Sequence, residues 1–249
     1  METEIISVST LTDKEDVAHQ LRKYDLLALP VLDTDGLLVG IVTFDDAMDV
    51  MVEEATEDIT KMAAVAPSEK TYFEVSAWEH AKRRIPWLLV LMFSSIITGT
   101  IITRYEDAFA AIPLLVSFIP MLMDTGGNCG SQSSTLIIRG IALNQVTFHD
   151  FFRVIWKEFR VSLIVGVVLA VANGLRIYLT YQQAGMAIVI ALSLVATVIS
   201  AKLLGCILPM CAKKIGLDPA LMASPLITTI VDASSIMIYF FIATKVFHL

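Results

Sequence analysis

The feature that most constrains the fold is a series of long apolar stretches that fills the chain from Trp87 onward. Of the 249 residues, 56% are hydrophobic and only 17% are charged, against about 25% in an ordinary soluble domain. A helix needs about 20 apolar residues to cross a bilayer. Five stretches meet this requirement, at about 87–103, 109–138, 161–180, 186–212 and 219–247. The sequence excludes a water-soluble globule and predicts a lipid bilayer around this half of the chain.

Charge divides the chain into two parts of different kind. Residues 1–81 contain 18 acidic and 5 basic residues, whereas residues 82–249 contain 7 acidic and 13 basic ones. The acidic part excludes nucleic acid as a partner, because a surface that binds phosphates needs the opposite charge, and it favours cations. The three cysteines lie in apolar segments without metal-ligand spacing, which predicts small buried residues. They are Cys129, Cys206 and Cys211.

Basic residues at the ends of the apolar stretches predict the orientation of the chain. Nine fall on one side of the membrane, namely Lys82, Arg83, Arg84, Arg139, Arg153, Lys157, Arg160, Lys213 and Lys214. Three fall on the other side, namely Arg104, Arg176 and Lys245. Because cytoplasmic loops carry an excess of Lys and Arg, we expect a multi-pass protein of the cell membrane. Its N-terminus would be cytoplasmic and its C-terminus outside.

The second and fifth stretches contain polar residues at helical spacing. In the second, the residues that share a face are Ser117, Asp124, Asn128, Ser131 and Thr135. In the fifth, they are Ser224, Thr228, Asp232, Ser235 and Tyr239. A carboxylate near the middle of a span is costly unless it faces a cavity, an ion or a partner, so Asp232 is a candidate functional residue. These two helices cannot face lipid on all sides.

Structural roles compete with functional ones in this half. Asp232 could be a hydrogen-bonded structural carboxyl, and Asn128 and Gln132 serve helix contacts as well as ion contacts. For Lys202 and Asp124, pairing or reaching toward the surface is an equal alternative to function. Small residues at Gly166, Ala170 and Gly174 in the third span predict close helix packing. In the second span, Gly126, Gly127 and Gly130 allow either the close approach of a partner backbone or a local opening of the helix.

Residues 1–58 alternate helix and strand signals. Thr12 followed by Glu15 is typical of a helix N-terminus, and 33–36 predicts a hairpin turn. A long acidic helix then begins near Phe44. Its acidic residues are Asp45, Asp46, Asp49, Glu53, Glu54, Glu57 and Asp58. Carboxylates at this spacing repel one another unless cations bridge them, and the alternative is a solvated acidic face.

Residues 3–51 resemble a complete CBS motif, with LPVLD, LVGIVT and a following DD. The EEATED stretch, the DTGGNCGSQ and RG of the second span, and DPA followed by TTIVD in the last span resemble the MgtE family of magnesium channels. The similarity covers nearly the whole chain. A lone CBS motif is not specific, but the two membrane motifs in this order are.

The resemblance implies an α-helical membrane protein with five transmembrane helices, preceded by a small α/β CBS motif and a long connecting helix. Residues 1–58 would be half of a CBS pair, 59–84 the connecting helix and 85–249 the pore domain. The family also implies a homodimer in which the second and fifth helices line one central pore. Because only one CBS motif is present, the chain resembles the C-terminal part of a longer protein.

The resemblance further implies magnesium uptake down its electrochemical gradient. Asp232 would bind hydrated Mg²⁺ in the pore, with Asn128, Thr228, Gly127 and Asp124 around it. The seven acidic residues of the 44–58 region would bind regulatory Mg²⁺ and close the pore when cytosolic magnesium is high. CBS modules also bind adenine nucleotides such as ATP, and Thr43 with Asp46 would contribute such contacts.

Two other functions fit some of the same residues. A secondary transporter of divalent cations coupled to Na⁺ or H⁺ also uses broken helices near mid-membrane. An intramembrane aspartyl enzyme would pair Asp124, which begins an Asp-Thr-Gly triplet, with Asp232. We expect the chain not to be an enzyme, because the triplet lies inside a membrane helix and no common hydrolase or P-loop motif accompanies it.

Overall fold

A computed structural model describes residues 5–68 and 70–248, apart from the side chains of Phe109 and Ser224. Ser224, which the sequence places on the polar face of the last span, therefore lies outside the described side chains. The chain divides into two compact units. The first ends at Thr60 and the second begins at Lys61.

The first unit is a small α/β fold. Its elements are β1 (Val8–Ser9), α1 (Lys14–Lys23), β2 (Ala28–Leu32), β3 (Leu38–Thr43) and α2 (Phe44–Met62), the last of which ends just inside the second unit. Strand β1 pairs parallel to β2, and β3 pairs antiparallel to β2. The core consists of Val8, Val17, Ala18, Leu21, Leu29 and Ala47. The sheet and both helices agree with the predicted CBS motif.

The predicted hairpin turn joins β2 to β3. The Asp33 carboxylate accepts hydrogen bonds from the backbone N–H groups of Asp35 at 2.9 Å and Leu37 at 2.8 Å. Gly36 has a φ of +78°, which glycine adopts without steric cost. The predicted cap of α1 is wrong by one residue, because the Asp13 carboxylate, and not Thr12, accepts from the Glu15 N–H.

The second unit consists of six α-helices and three short 3₁₀ segments within the described residues. The α-helices are α3 (Ala77–Arg104), α4 (Glu106–Ala111), α5 (Ile119–Ala142), α6 (Phe151–Tyr181), α7 (Ala184–Lys214) and α8 (Ser224–Phe247). The 3₁₀ segments are Pro113–Phe118, Phe148–Asp150 and Pro219–Met222, and each lies directly before α5, α6 or α8.

Four helical stretches in the described part of the chain are long and apolar enough to cross a membrane. They are Ala77–Arg104, Phe148–Tyr181, Ala184–Lys214 and Pro219–Phe247. The sequence also predicted a span at 109–138, the second of the five in chain order. This segment is divided between α4, a 3₁₀ segment and α5. Pro113 and Pro120 stand at the starts of the second and third of these pieces, where proline is tolerated. Helix α5 carries the polar residues of this segment and is not among the four apolar stretches.

The long connecting helix predicted within 59–84 is not present as a single helix. Helix α2 ends at Met62, and α3 begins at Ala77 after the Ser76 side chain accepts a hydrogen bond from the Glu79 N–H. Pro67 lies between them, and a proline disfavours helical backbone at the residue before it. Helix α3 therefore includes the basic residues at 82–84 and is longer than the predicted 87–103 span.

Helix α7 lies at the centre of the second unit and contacts α5, α6 and α8. The small residues of α6 face it as predicted. A Cβ at Gly166 would lie 3.3 Å from the Val195 Cα, and one at Gly174 would lie 3.5 Å from the Ala191 Cβ. Helix α3 contacts α8 and carries many exposed apolar side chains.

Candidate functional site

Glycines of α5 bring its backbone directly against α8 and α7. A Cβ at Gly126 would lie 2.7 Å from the Ser235 Oγ and 2.9 Å from the Val231 Cγ1. One at Gly130 would lie 2.8 Å from the Ile227 Cγ2 and 3.3 Å from the backbone oxygen of Ala201. Real Cβ atoms do not approach other atoms this closely, so the predicted role of these glycines in close packing is confirmed.

The candidate pore residues of α8 lie beside Gly127. A Cβ at Gly127 would lie 3.1 Å from the Thr228 Cγ2 and 3.8 Å from the Asp232 Oδ1. Thr228 and Asp232 are four residues apart on α8 and hence on one face of that helix. The Thr228 hydroxyl donates to the Pro225 carbonyl at 2.9 Å. The structure thus brings together three of the five predicted pore residues.

The other two predicted pore residues, Asp124 and Asn128, are exposed on the surface of the single chain. They are one helical turn apart on α5, and Gln132 and Thr135 continue the same exposed polar face. A polar strip therefore lies on one side of the α5–α8 pair.

The predicted polar face of α8 divides into two parts. Ser235 is buried and its hydroxyl donates to the Val231 carbonyl at 2.6 Å. Tyr239 is fully buried, and its hydroxyl donates to the Leu115 carbonyl at 2.9 Å. Both side chains point into the unit, because α5 and the 3₁₀ segment before it pack there. The sequence places Ser235 and Tyr239 on one polar face with Asp232, and the structure buries both side chains, whereas Asp232 is only half-buried.

A polar chain of two buried residues and the half-buried Glu158 links three helices near these contacts. Lys202 of α7 is 5% exposed, and its ammonium donates to the Ser133 Oγ of α5 at 3.3 Å. The Ser133 hydroxyl donates in turn to the Glu158 Oε2 of α6 at 2.7 Å. Sequence reasoning singled out Lys202 but missed both partners. The signal was a basic residue inside the predicted 186–212 span and an acidic residue three positions before the predicted 161–180 span, which α6 includes because it begins at Phe151.

The candidate regulatory residues all lie on α2. Asp45, Asp46, Asp49 and Glu53 are exposed, whereas Glu54, Glu57 and Asp58 are half-buried. The Lys14 ammonium lies 3.0 Å from the Glu54 carboxylate and 3.7 Å from that of Glu53. The hydrogen bond to Glu54 raises the pKa of Lys14 above its ordinary value. Within residues 5–68 and 70–248, no three His, Cys, Asp or Glu side chains are grouped closely enough to hold a metal ion.

The candidate nucleotide residues contact each other in the first unit. The Thr43 hydroxyl donates to the Asp46 carboxylate at 2.6 Å. Asp46 also lines a cavity of about 290 Å³, whose other walls include Ser9, Thr10 and Lys14 and apolar residues of the core. The cavity therefore combines hydroxyl, ammonium and carboxylate groups with an apolar wall.

Comparisons with known proteins match both halves of the chain. The model of the MgtE family, described as divalent cation transporters, matches residues 119–242, and that of the CBS domain matches residues 1–53. Residues 119–242 include the α5–α8 contacts described above, and residues 1–53 include the small sheet.

Curated relatives match over nearly the whole chain. A protein named magnesium transporter MgtE from Bacillus subtilis is 40% identical over 248 residues, which is 100% of this chain and 54% of the relative. Proteins of the same name from Thermus thermophilus and Enterococcus faecalis are 38% and 35% identical over 98% and 96% of this chain, and 54% and 52% of their own length. The chain spans about half the length of the curated relatives it matches. On these matches together, the chain belongs to the MgtE family.

Proposed function

We propose that this chain forms a magnesium-selective channel, with the α5–α8 contact as its ion path. One observation carries the proposal. Because Gly127 has no side chain, the Asp232 carboxylate and Thr228 lie beside the backbone of α5. The exposed polar strip of the same helix includes Asn128 and Asp124. Oxygen ligands and a carboxylate are what Mg²⁺ prefers in proteins. Transport of an ion, rather than an enzymatic reaction, is the chemistry that this arrangement supports.

We propose that α5 is a fifth membrane span. Its 24 residues correspond to a length of about 36 Å at 1.5 Å per residue, enough for a hydrocarbon core of about 30 Å. Its polar strip would be costly against lipid. With five spans and the basic residues on the cytoplasmic side, the N-terminus lies in the cytoplasm and the C-terminus outside.

We also propose that two copies of the chain assemble around a two-fold axis. A second copy placed over the strip covers Asp124, Asn128 and Gln132, which a single copy leaves exposed, and surrounds one path with two Asp232 carboxylates. Because Mg²⁺ releases its water molecules reluctantly, two such carboxylates would recognise the hydrated ion by size and charge. Uptake then follows the electrochemical gradient.

Regulation is proposed to lie in the acidic helix α2. Exposed carboxylates at three- and four-residue spacing, from Asp45 to Glu53, repel one another, and bound Mg²⁺ would cancel this repulsion. An ion that binds one conformation better shifts the population toward it, so high cytosolic magnesium would favour a closed state. ATP is the proposed ligand of the cavity at Asp46, where the Lys14 ammonium would meet its phosphates.

A secondary transporter of divalent cations coupled to Na⁺ or H⁺ is the second candidate function. It is favoured by the interrupted backbone before α5 and α8, where the 3₁₀ segments Pro113–Phe118 and Pro219–Met222 stand. Discontinuous helices of this kind hold ions in many transporters. Accumulation of Mg²⁺ against its own gradient when a Na⁺ or H⁺ gradient is imposed would favour this candidate over a channel.

The channel is tested by Mg²⁺ flux into proteoliposomes that contain the wild-type chain, Asp232→Ala, or Asp107→Ala. Asp107 is an exposed carboxylate of α4 and serves as the matched control. We expect the wild type and the control to carry Mg²⁺ in preference to Ca²⁺ and Asp232→Ala to lose flux or preference. Equal behaviour of all three chains, or no flux from any, would contradict the proposal. Asp232→Asn separates the carboxylate charge from the size of the side chain.

A further inference from the structure

Lys202 is a buried cation that the ion path at Asp232 does not use. It lies within α7, a helix of 31 residues that is long and apolar enough to cross the membrane, and it is 5% exposed. An isolated ammonium group in such surroundings is costly unless other groups satisfy it. The retention of a charge at this depth therefore depends on what the ammonium contacts.

The contacts of Lys202 form a chain of two hydrogen bonds that crosses three helices. Its Nζ donates to the Ser133 Oγ at 3.3 Å, and the Ser133 hydroxyl donates to the Glu158 carboxylate at 2.7 Å. Ser133 is 1% exposed. The serine accepts from the cation and donates to the anion, so the positive and negative charges of α7 and α6 meet on one hydroxyl of α5.

The backbones of α5 and α7 touch at the next turn. A Cβ at Gly205, three residues after Lys202, would overlap the backbone oxygen of Gly130, and it would lie 3.2 Å from the Ser133 Cβ. Directly after Ser133, the Ser134 hydroxyl donates to the Met222 carbonyl at 3.1 Å, just before α8 begins. Helix α5 is therefore held from both sides at Ser133 and Ser134, about one turn after Asn128.

We propose that Lys202, Ser133 and Glu158 are positioning residues that fix the axial register of α5 in the membrane unit. This inference rests on the proposed function, because the register of α5 sets which of its residues stand beside Asp232. Ser133 lies six residues after Gly127 on the same helix. A slide or rotation of α5 at Ser133 therefore moves the backbone that faces Thr228 and Asp232, without any contact between Lys202 and the ion.

The test exchanges the two charges. Lys202→Met and Glu158→Gln each remove one charge, and the double variant K202E/E158K restores both charges in exchanged places, which one serine hydroxyl can still bridge by reversing its hydrogen bonds. Lys213→Met is the matched control, since Lys213 is an exposed lysine on the same helix. Each chain is assayed in proteoliposomes for Mg²⁺ flux and for the ratio of Mg²⁺ to Ca²⁺ flux.

We expect both single variants to lose most of the flux and of the Mg²⁺ preference, K202E/E158K to recover both, and Lys213→Met to match the wild type. A loss that the exchange does not rescue, or single variants with wild-type flux and preference, would overturn the positioning role. A single variant that does not fold is replaced by Ser133→Ala, which removes the bridge but no charge and is expected to show the same loss.

A second readout is independent of flux. Spin labels at Thr135→Cys on α5 and Met237→Cys on α8 report the register, in a chain without its three native cysteines and diluted with unlabelled copies. Both labelled sites are exposed. The single variants should shift or broaden the distance between the labels, and the exchange should restore it. If the wild type carried no Mg²⁺, the proposed function would fail, and an unchanged distance in the single variants would overturn the register claim separately.

Discussion

Gly127 of α5 lies directly against Thr228 of α8, so closely that a Cβ on the glycine would be 3.1 Å from the Thr228 Cγ2. The same Cβ would be 3.8 Å from the Asp232 Oδ1. Because position 127 has no side chain, the two polar residues of α8 can lie beside the backbone of α5. An added methyl group would act on Thr228 first.

Gly127→Ala is therefore expected to lower Mg²⁺ flux. The new methyl group must displace the Thr228 side chain by a few tenths of an ångström. The strain of about 1 kcal/mol that this can cost corresponds to about a fivefold loss if the displacement is felt in the ion path. Mg²⁺ flux into proteoliposomes measures this loss. Gly99→Ala is the control, since nothing lies within 4 Å of a Cβ at Gly99, and its flux should equal that of the wild type. Equal flux from both variants would contradict the prediction.

Gly205→Ala is expected to destabilise the membrane unit. A Cβ at Gly205 would overlap the backbone oxygen of Gly130, and backbone can yield only by moving a helix, at a cost of about 1 to 3 kcal/mol. Thermal unfolding in detergent should show a lower Tm. Gly174→Ala makes an ordinary contact of 3.5 Å and should instead keep or raise the Tm, because alanine favours helix by up to about 1 kcal/mol. A Tm that falls equally in both variants would argue against the close approach.

Tyr239→Phe tests the part of α8 that points into the unit. The variant leaves the buried Leu115 carbonyl without the hydroxyl that donates to it at 2.9 Å, at a cost of about 1 kcal/mol. A decrease in Tm of about 2 to 4 °C is expected. Tyr178→Phe, at an exposed tyrosine of α6, should leave the Tm unchanged. Loss of Mg²⁺ preference in Tyr239→Phe without loss of stability would return Tyr239 to the ion path.

Lys14→Gln is expected to increase Mg²⁺ binding at the acidic helix. The Glu54 carboxylate, 3.0 Å away, raises the pKa of Lys14 above its ordinary value of 10.5. The ammonium is thus fully charged at neutral pH, and the ion pair is lost only as the pH rises through that raised pKa. At pH 7 it competes with a divalent cation for Glu53 and Glu54.

The measurement is the increase in Tm of the full chain on titration with Mg²⁺, since a ligand that binds the folded state stabilises it. The half-saturating Mg²⁺ concentration should fall in Lys14→Gln and remain unchanged in Lys23→Gln, at an exposed lysine where α1 ends. An unchanged or higher concentration for Lys14→Gln would show that Glu53 and Glu54 do not bind the ion.

Much of the fold could be predicted because its determinants are local. The turn at 33–36 follows from the hydrogen-bonding capacity of Asp33 and from the glycine at position 36. The helical nature and position of the apolar stretches follow from length and composition alone. The predicted helix over 59–84 failed, because a capped start at Ser76 and a proline at 67 outweighed the helix-forming residues around them.

By itself, the sequence determined that the chain has an acidic α/β part and an apolar helical part, that α5 is the polar helix among apolar ones, and which family the chain belongs to. Those properties depend on residue type and spacing, which are visible along the chain. Only the tertiary structure decided that Gly127 lies beside Thr228 and Asp232, that Ser235 and Tyr239 point inward, and that Lys202 and Glu158 meet on Ser133. The reason is physical: helical periodicity places side chains on a face, but the rotation and register of each helix depend on how its small residues pack against its neighbours.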